Sequence, residues 1–189
     1  MNNKKALIII DMQKGSFYQG VERYDAKGVV ERINKISSTF RNLNYPVIFI
    51  QHDGTGTGEF KKNTHEWEIL DELEIKVSDF KIDKYANDVF YKSKLDETLK
   101  IKNIKELFFT GCATDFCVDS TIQSAITKEY NVTVVEDGHT TGNRFQLNAK
   151  TIIEYYNWKW KNMIPIKREI SVKKTTEIIK NIDTVDNMV

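Results

Sequence analysis

The stretch from Glu106 to Thr121 constrains this chain most. It opens on the apolar run Leu107-Phe108-Phe109, bounded by charge, which is the pattern of a buried strand. The run breaks at Gly111, and Val118, Thr121, Ile122, Ala125 and Ile126 then recur at helical spacing. Thr114 or Asp115 is placed to cap that helix through a side-chain oxygen. Cys117 therefore falls in the first turn, where free N–H groups and the positive end of the helix dipole favour an anion and lower a thiol's pKa. A free cysteine is more often a small buried hydrophobe, and Cys112 reads that way. Cys117 reads as a candidate nucleophile.

Strand and helix patterns alternate around this stretch. Ala6-Leu7-Ile8-Ile9-Ile10 is a continuous apolar run, as expected of a strand covered on both faces, and it ends at Asp11. A loop from Met12 to Gly20 precedes an amphipathic helix through Val29, Ile33, Ile36 and Phe40. Pro46 to Ile50 predicts a second strand ending at Gln51-His52-Asp53, and Phe80 to Lys84 a third with Lys84 at its end. Gly54-Thr55-Gly56-Thr57-Gly58 lacks the Lys-Ser/Thr of a phosphate loop and reads as a flexible active-site loop. Leu95, Leu99 and Ile101 mark a short helix. Val132 to Val135 predicts a fifth strand ending at Glu136-Asp137, and Leu147, Ile152, Ile153 and Tyr156 the next helix. Met163 to Ile166 predicts an edge strand, because Pro165 donates no backbone bond. Ser171 is placed to cap a last helix through Ile178, Ile179 and Ile182. The alternation predicts an α/β fold: one domain, residues 1–189, of three α/β/α layers around a six-stranded, mostly parallel sheet.

Composition excludes several classes. Lys and Arg number 28 against 27 Asp and Glu, so no basic excess points to nucleic acid or an anionic membrane. No apolar run approaches the roughly 20 residues of a membrane span. Met1 to Lys5 leads into a strand without a signal-peptide cleavage pattern, and two cysteines suit a reducing cytoplasm better than a disulfide framework.

Three segments in order resemble the isochorismatase-like cysteine hydrolase superfamily. They are Ile9-Ile10-Asp11-Met12-Gln13, then Lys84 with Asp88-Val89-Phe90 and Leu95, then Gly111 to Val118 continued by Thr121 and Ala125. The resemblance runs from about Lys4 to Met163 and implies a six-stranded parallel sheet with flanking helices. It implies an Asp–Lys–Cys triad at Asp11, Lys84 and Cys117. A thiolate attacking a carbonyl carbon would give an acyl-enzyme, with Asp11 moving the proton and Lys84 holding both charges in place. The family's cis peptide maps to Cys112-Ala113, and the oxyanion hole to the N–H groups of Ala113 and Cys117. Gln13, Phe17, His52, Trp67, Phe90 and Phe116 are the expected substrate-binding residues.

Departures from the family narrow the activity. Nicotinamidase-like members carry an Asp-x-His metal motif after the second strand; His52-Asp53-Gly54 stands there instead, and His65 and His139 are scattered. Neither metal nor cofactor is expected. Isochorismatases proper cleave a vinyl ether and lack the cysteine, so Cys117 speaks against that activity. Asp88 stands where the family commonly has serine. The sub-pattern Gln51-His52, Trp67, Phe90-Tyr91 and Asp137-Gly138-His139-Thr140-Thr141 resembles the unassigned amidase branch related to nicotinamidase and N-carbamoylsarcosine amidase. The expected activity is hydrolysis of a small carboxamide or lactam; the alternatives are vinyl-ether hydrolysis and a non-catalytic binding protein. The expected partners are the small amide and further copies of the chain, as a homodimer or homotetramer. Dialysis against a strong chelator, followed by elemental analysis and assay, is expected to leave activity unchanged. Activity lost with a stoichiometric metal and restored on its return would overturn this expectation and bring nicotinamide back as a substrate.

Overall fold

The computed structural model describes residues 4–18, 20, 22–165 and 167–182. Six strands form one sheet in the order β3-β2-β1-β4-β5-β6. They are β1 (Lys4–Ile10), β2 (Val47–His52), β3 (Phe80–Lys84), β4 (Ile104–Cys112), β5 (Asn131–Thr140) and β6 (Ile170–Lys173). Every neighbouring pair is parallel, with Ile8 of β1 opposite both Ile48 of β2 and Phe109 of β4. A parallel sheet needs crossovers that bury both faces, which is why β1 is apolar from Ala6 to Ile10.

The helices are α1 (Ala26–Asn42), α2 (Leu95–Ile101), α3 (Asp119–Thr127), α4 (Ala149–Lys161) and α5 (Thr175–Ile182). Side chains alternate across a strand, so β1 feeds two cores. Ala6, Ile8 and Ile10 pack with Leu95 and Leu99 of α2, Ile122 and Ala125 of α3, and Trp160 of α4. Leu7 and Ile9 pack with Val29, Ile33, Ile36 and Phe40 of α1 and with Ile178 and Ile182 of α5. The strand order reverses direction between β1 and β4, and the crevice beyond their carboxyl ends is where open α/β sheets hold ligands.

The sixth strand is not where the pattern predicts. Met163, Ile164 and Pro165 lie in no strand, Ile164 is exposed, and Ile166 falls outside the described residues. β6 forms instead at Ile170–Lys173, with Ile170 opposite Val132. Ser171 therefore sits in the sheet, its hydroxyl 3.0 Å from Thr133 Oγ1, and caps nothing. α5 starts four residues later, and Asp137 accepts from both N and Oγ1 of Thr175, at 2.9 and 2.7 Å. β5 runs on to Thr140, past the predicted Asp137, after a register shift opposite Gly111. Leu147 precedes α4, paired in a short bridge with Arg144; Asn148 caps that helix by accepting from Thr151 N–H at 2.8 Å.

Gly111 allows β1 and β4 to meet at the crevice. Its φ is +118°, and a Cβ there would come within 2.1 Å of Ile10 O and 2.6 Å of Ile10 N. Both atoms are backbone in the central strand and have no room to retreat. Gly111→Ala is therefore expected to cost at least about 2 kcal/mol of stability, from the left-handed conformation and the clash together. Urea unfolding checks this, and a midpoint equal to that of the unaltered chain would show the strands closing in some other way.

Candidate active site

Asp11 follows β1 immediately, with φ +48° and its N–H on Ile50 O at 3.1 Å. Aspartate tolerates this left-handed turn better than most residues, and here it aims a carboxylate over the sheet edge. Lys84 is the last residue of β3 and is wholly buried. Its ammonium donates to Asp11 Oδ2 at 2.7 Å, to Cys117 Sγ at 3.1 Å and to Ala86 O at 2.9 Å. Among the described residues, the buried Asp11 Oδ1 has no oxygen or nitrogen donor, which leaves it open to the Cys117 thiol. Asn87 Oδ1 stands 3.6 Å from the sulfur on another side.

Cys117 belongs to a π-helical turn, Thr114–Val118, that runs into α3. The Cys112–Ala113 peptide before it is cis. Neither Thr114 nor Asp115 caps this turn through its side chain. Thr114 Oγ1 instead meets His139 Nδ1 at 2.9 Å, and Asp115 accepts from Thr141 Oγ1 at 2.6 Å and from Arg144 Nε at 2.8 Å. The expected lowering of the thiol pKa is also overturned. Burial first, and then the Asp11 carboxylate, push Cys117 up to about 12 against the opposing pull of Lys84. Burial likewise opposes the Lys84 charge, but Asp11 and Cys117 outweigh it and the lysine pKa is raised. The resting group is thus a thiol beside an ammonium–carboxylate pair. Cys112 is buried, with its thiol also at about 12, as a packing residue should be.

A cleft of about 480 Å³ opens onto these groups, lined by Asp11, Gln13, His52, Ala113, Phe116 and Cys117 among others. Gln13 frames the wall, since its amide accepts from His52 N at 2.7 Å and donates to His52 O and Trp67 O. Burial, with Lys84 nearby, lowers the His52 pKa, so the imidazole is neutral at pH 7. Phe60 meets its ring edge-on at 5.9 Å. Three expected pocket residues lie elsewhere. Phe90 is buried in the core and stacks on Tyr130, Phe17 lines a separate groove of about 880 Å³ beside α1, and Trp67 reaches the site only through its carbonyl. Asp88 caps its own turn by accepting from Phe90 N–H at 2.8 Å.

The cleft also holds residues that sequence reasoning did not single out: Arg23, Asn87 and Arg144, with Thr57, Glu59 and Phe60 from the glycine-rich loop. Only the loop was foreshadowed, by its glycines. Among the described residues, no group of three or more His, Cys, Asp or Glu is arranged to hold a metal ion, and no helix is long and apolar enough to cross a membrane.

Known proteins resemble this one along most of the chain. The isochorismatase domain pattern matches residues 5–158. An uncharacterized isochorismatase family protein, YddQ of Bacillus subtilis, is 28% identical over 176 residues, covering 91% of this chain and 96% of its own. The ureidoacrylate amidohydrolase RutB of Caulobacter segnis is 27% identical over 192 residues, covering 81% of this chain and 80% of its own. The crystal structure of an isochorismatase family protein superposes with a TM-score of 0.81 at 27% identity, over 89% of this chain and 97% of the other. N-carbamoylsarcosine amidase from Thermoplasma acidophilum shares the fold, with a TM-score of 0.73 at 23% identity. With the domain pattern spanning residues 5–158 and the fold superposing on that of a family member with a TM-score of 0.81, this protein belongs to the isochorismatase family.

Proposed function

We propose that the protein is a metal-independent cysteine hydrolase that cleaves the C–N bond of a small carboxamide or lactam. The observation that carries this reading is the Lys84 ammonium lodged between Asp11 Oδ2 at 2.7 Å and Cys117 Sγ at 3.1 Å, at the floor of an open cleft. The name of the amidohydrolase relative from Caulobacter segnis points to the same bond type.

In this mechanism the thiol ionises as it attacks. Its proton passes to Asp11, the S–C bond forms, and the carbonyl oxygen takes the electron pair of the broken π bond. The N–H of Ala113 has no hydrogen-bond partner among the described residues and, with that of Cys117, stabilises the oxyanion. Asp11 then protonates the leaving nitrogen as the C–N bond breaks, giving ammonia or an amine and a thioester. Water, deprotonated by Asp11, hydrolyses the thioester and restores the thiol. Lys84 keeps the site's net charge constant through both half-reactions, and a thiol of such high pKa requires that base at the moment of attack. Free Cys117 requires a reducing compartment, so the cytoplasm is the site of action that goes with this reading.

A screen of small amides for released ammonia tests the activity, and release of pyruvate from isochorismate instead would replace it. Cys117→Ala is expected to abolish hydrolysis with the fold intact, while Cys112→Ala keeps most of it; amide turnover surviving in Cys117→Ala would sink the mechanism. Asp11→Asn is expected to lower kcat at least about a hundredfold by removing the proton carrier. The same change removes a charge that raises the thiol pKa and leaves Lys84, which lowers it. The pH midpoint for alkylation of Cys117 by iodoacetamide should therefore move down in Asp11→Asn, even as hydrolysis fails. A midpoint that stays or rises would mean that Asp11 does not hold the thiol protonated.

A further inference from the structure

Two arginines that take no part in this chemistry line the same cleft. Arg23 leaves the loop after β1 and is fixed from both sides. Tyr24 N–H donates to Thr141 O at 3.0 Å, and Tyr24 O accepts from Thr140 Oγ1 at 2.6 Å, so the backbone next to Arg23 is tied to the end of β5. Its Nε donates to Ser16 O at 2.8 Å. Among the described residues neither of its terminal nitrogens has a hydrogen-bond or ion-pair partner.

Arg144 arrives from beyond the end of β5. Its Nε and Nη2 are spent on Asp115 and Thr141, and its guanidinium lies over the Phe116 ring at 5.0 Å. Nη1 is left with only a long contact, 3.5 Å, to Asn143 O. The two Nη1 atoms are neighbours within about 7 Å: a Cβ built on Gly142 would stand 3.4 Å from that of Arg23 and 3.5 Å from that of Arg144.

Like charges drawn together at one wall of a cleft repel unless an anion sits between them. The other charges of the cleft do not supply it. Asp11 is taken by Lys84, Asp115 already serves Arg144, and Glu59 is exposed on the far loop and, among the described residues, in no ion pair. Guanidinium nitrogens presented in pairs match the two oxygens of a carboxylate.

We propose that Arg23, together with Nη1 of Arg144, forms a carboxylate-binding subsite, and that the preferred substrate is a small amide carrying an anionic carboxylate. The amide half of that statement rests on the amidohydrolase reading above, while the anionic half rests on the arginines alone. The subsite selects by holding the carboxylate at one wall while the amide carbon meets Cys117. Arg23 carries the selectivity, because the charge of Arg144 is already balanced by Asp115.

The test uses two alkylating agents that differ only in this group. Iodoacetate and iodoacetamide react alike: the thiol loses its proton, the S–C bond forms and iodide leaves with the electron pair. One carries a carboxylate where the other carries a neutral amide. The rate ratio of iodoacetate to iodoacetamide at Cys117, read by peptide mapping, is compared with the ratio for N-acetylcysteine. The protein's ratio is expected to exceed the reference about tenfold, to fall about tenfold in Arg23→Met, and to be largely kept in Arg23→Lys. Raising the salt concentration should shrink the excess. Arg23→Gln, which keeps a donor for Ser16 O, carries the comparison if Arg23→Met does not fold. A protein ratio equal to the reference overturns the subsite, and an excess that survives in both neutral variants assigns it to Lys84 and overturns the role of Arg23. Alkylation needs no amide hydrolysis, so the two readings fail separately. A reference-like ratio alongside ammonia release from neutral amides removes only the subsite, whereas an Arg23-dependent excess with no amide cleaved supports the subsite and removes the amidohydrolase.

Discussion

Everything at the sheet edge depends on one buried ammonium. Lys84 has no exposed surface, and an isolated charge in such a place costs many kcal/mol unless it is paired and hydrogen-bonded. Asp11, Cys117 and Ala86 O together satisfy it. Removing Asp11 would leave the ammonium exposed to that cost, so the two charges behave as a unit. The sheet order explains why the cation is lysine. β3 and β1 are separated by β2, a span of roughly 10 Å at about 4.8 Å per strand. A four-carbon stem reaching past His52, its register partner on β2, crosses that gap to a carboxylate that leans back toward it. A histidine at the end of β3 would stop short.

That same pairing bears on the state of the Cys117 thiol. A cysteine at a helix start is expected to ionise readily, but this turn is buried and faces a carboxylate, and both effects favour the thiol. Lys84 answers the carboxylate first, at 2.7 Å, and the sulfur second, at 3.1 Å. The ammonium and the carboxylate balance one another, and the sulfur beside them is held toward its protonated form.

What the sequence shows clearly is what lies on the strands. Ala6 to Ile10 and Leu107 to Phe109 are legible because a strand buried on both faces has to be apolar throughout, and the chemical groups that follow such runs inherit their position. β6 is misplaced because an edge strand is only half-buried; Ile170 to Lys173 shows weaker apolar character than Met163 to Ile166, and only its pairing with β5 makes it a strand. Phe90 illustrates a different limit. The family resemblance puts an aromatic near the site, but only the fold decides that its ring turns inward to Tyr130. Arg23 and Arg144 leave no periodic trace at all. Bonds between Tyr24 and Thr140, 116 positions apart, bring the first to the cleft, and the second is aimed by Asp115.

The division between strand ends and loops has a consequence for how such a protein changes. Asp11, Lys84 and the turn bearing Cys117 are fixed by the sheet register, and Gly111 leaves no slack between β1 and β4. The groups that meet the rest of a substrate come from elsewhere: Arg23 from the loop before α1, Phe60 from the loop after β2, and Arg144 from the segment before α4. Those segments lie largely at the surface, where substitutions cost little stability, while the strand ends lie in the core, where they cost much. Substrate preference can therefore drift while the bond-breaking groups stay in place. A fold held by its sheet register tolerates such drift, and a family member at 27% identity still superposes on it with a TM-score of 0.81.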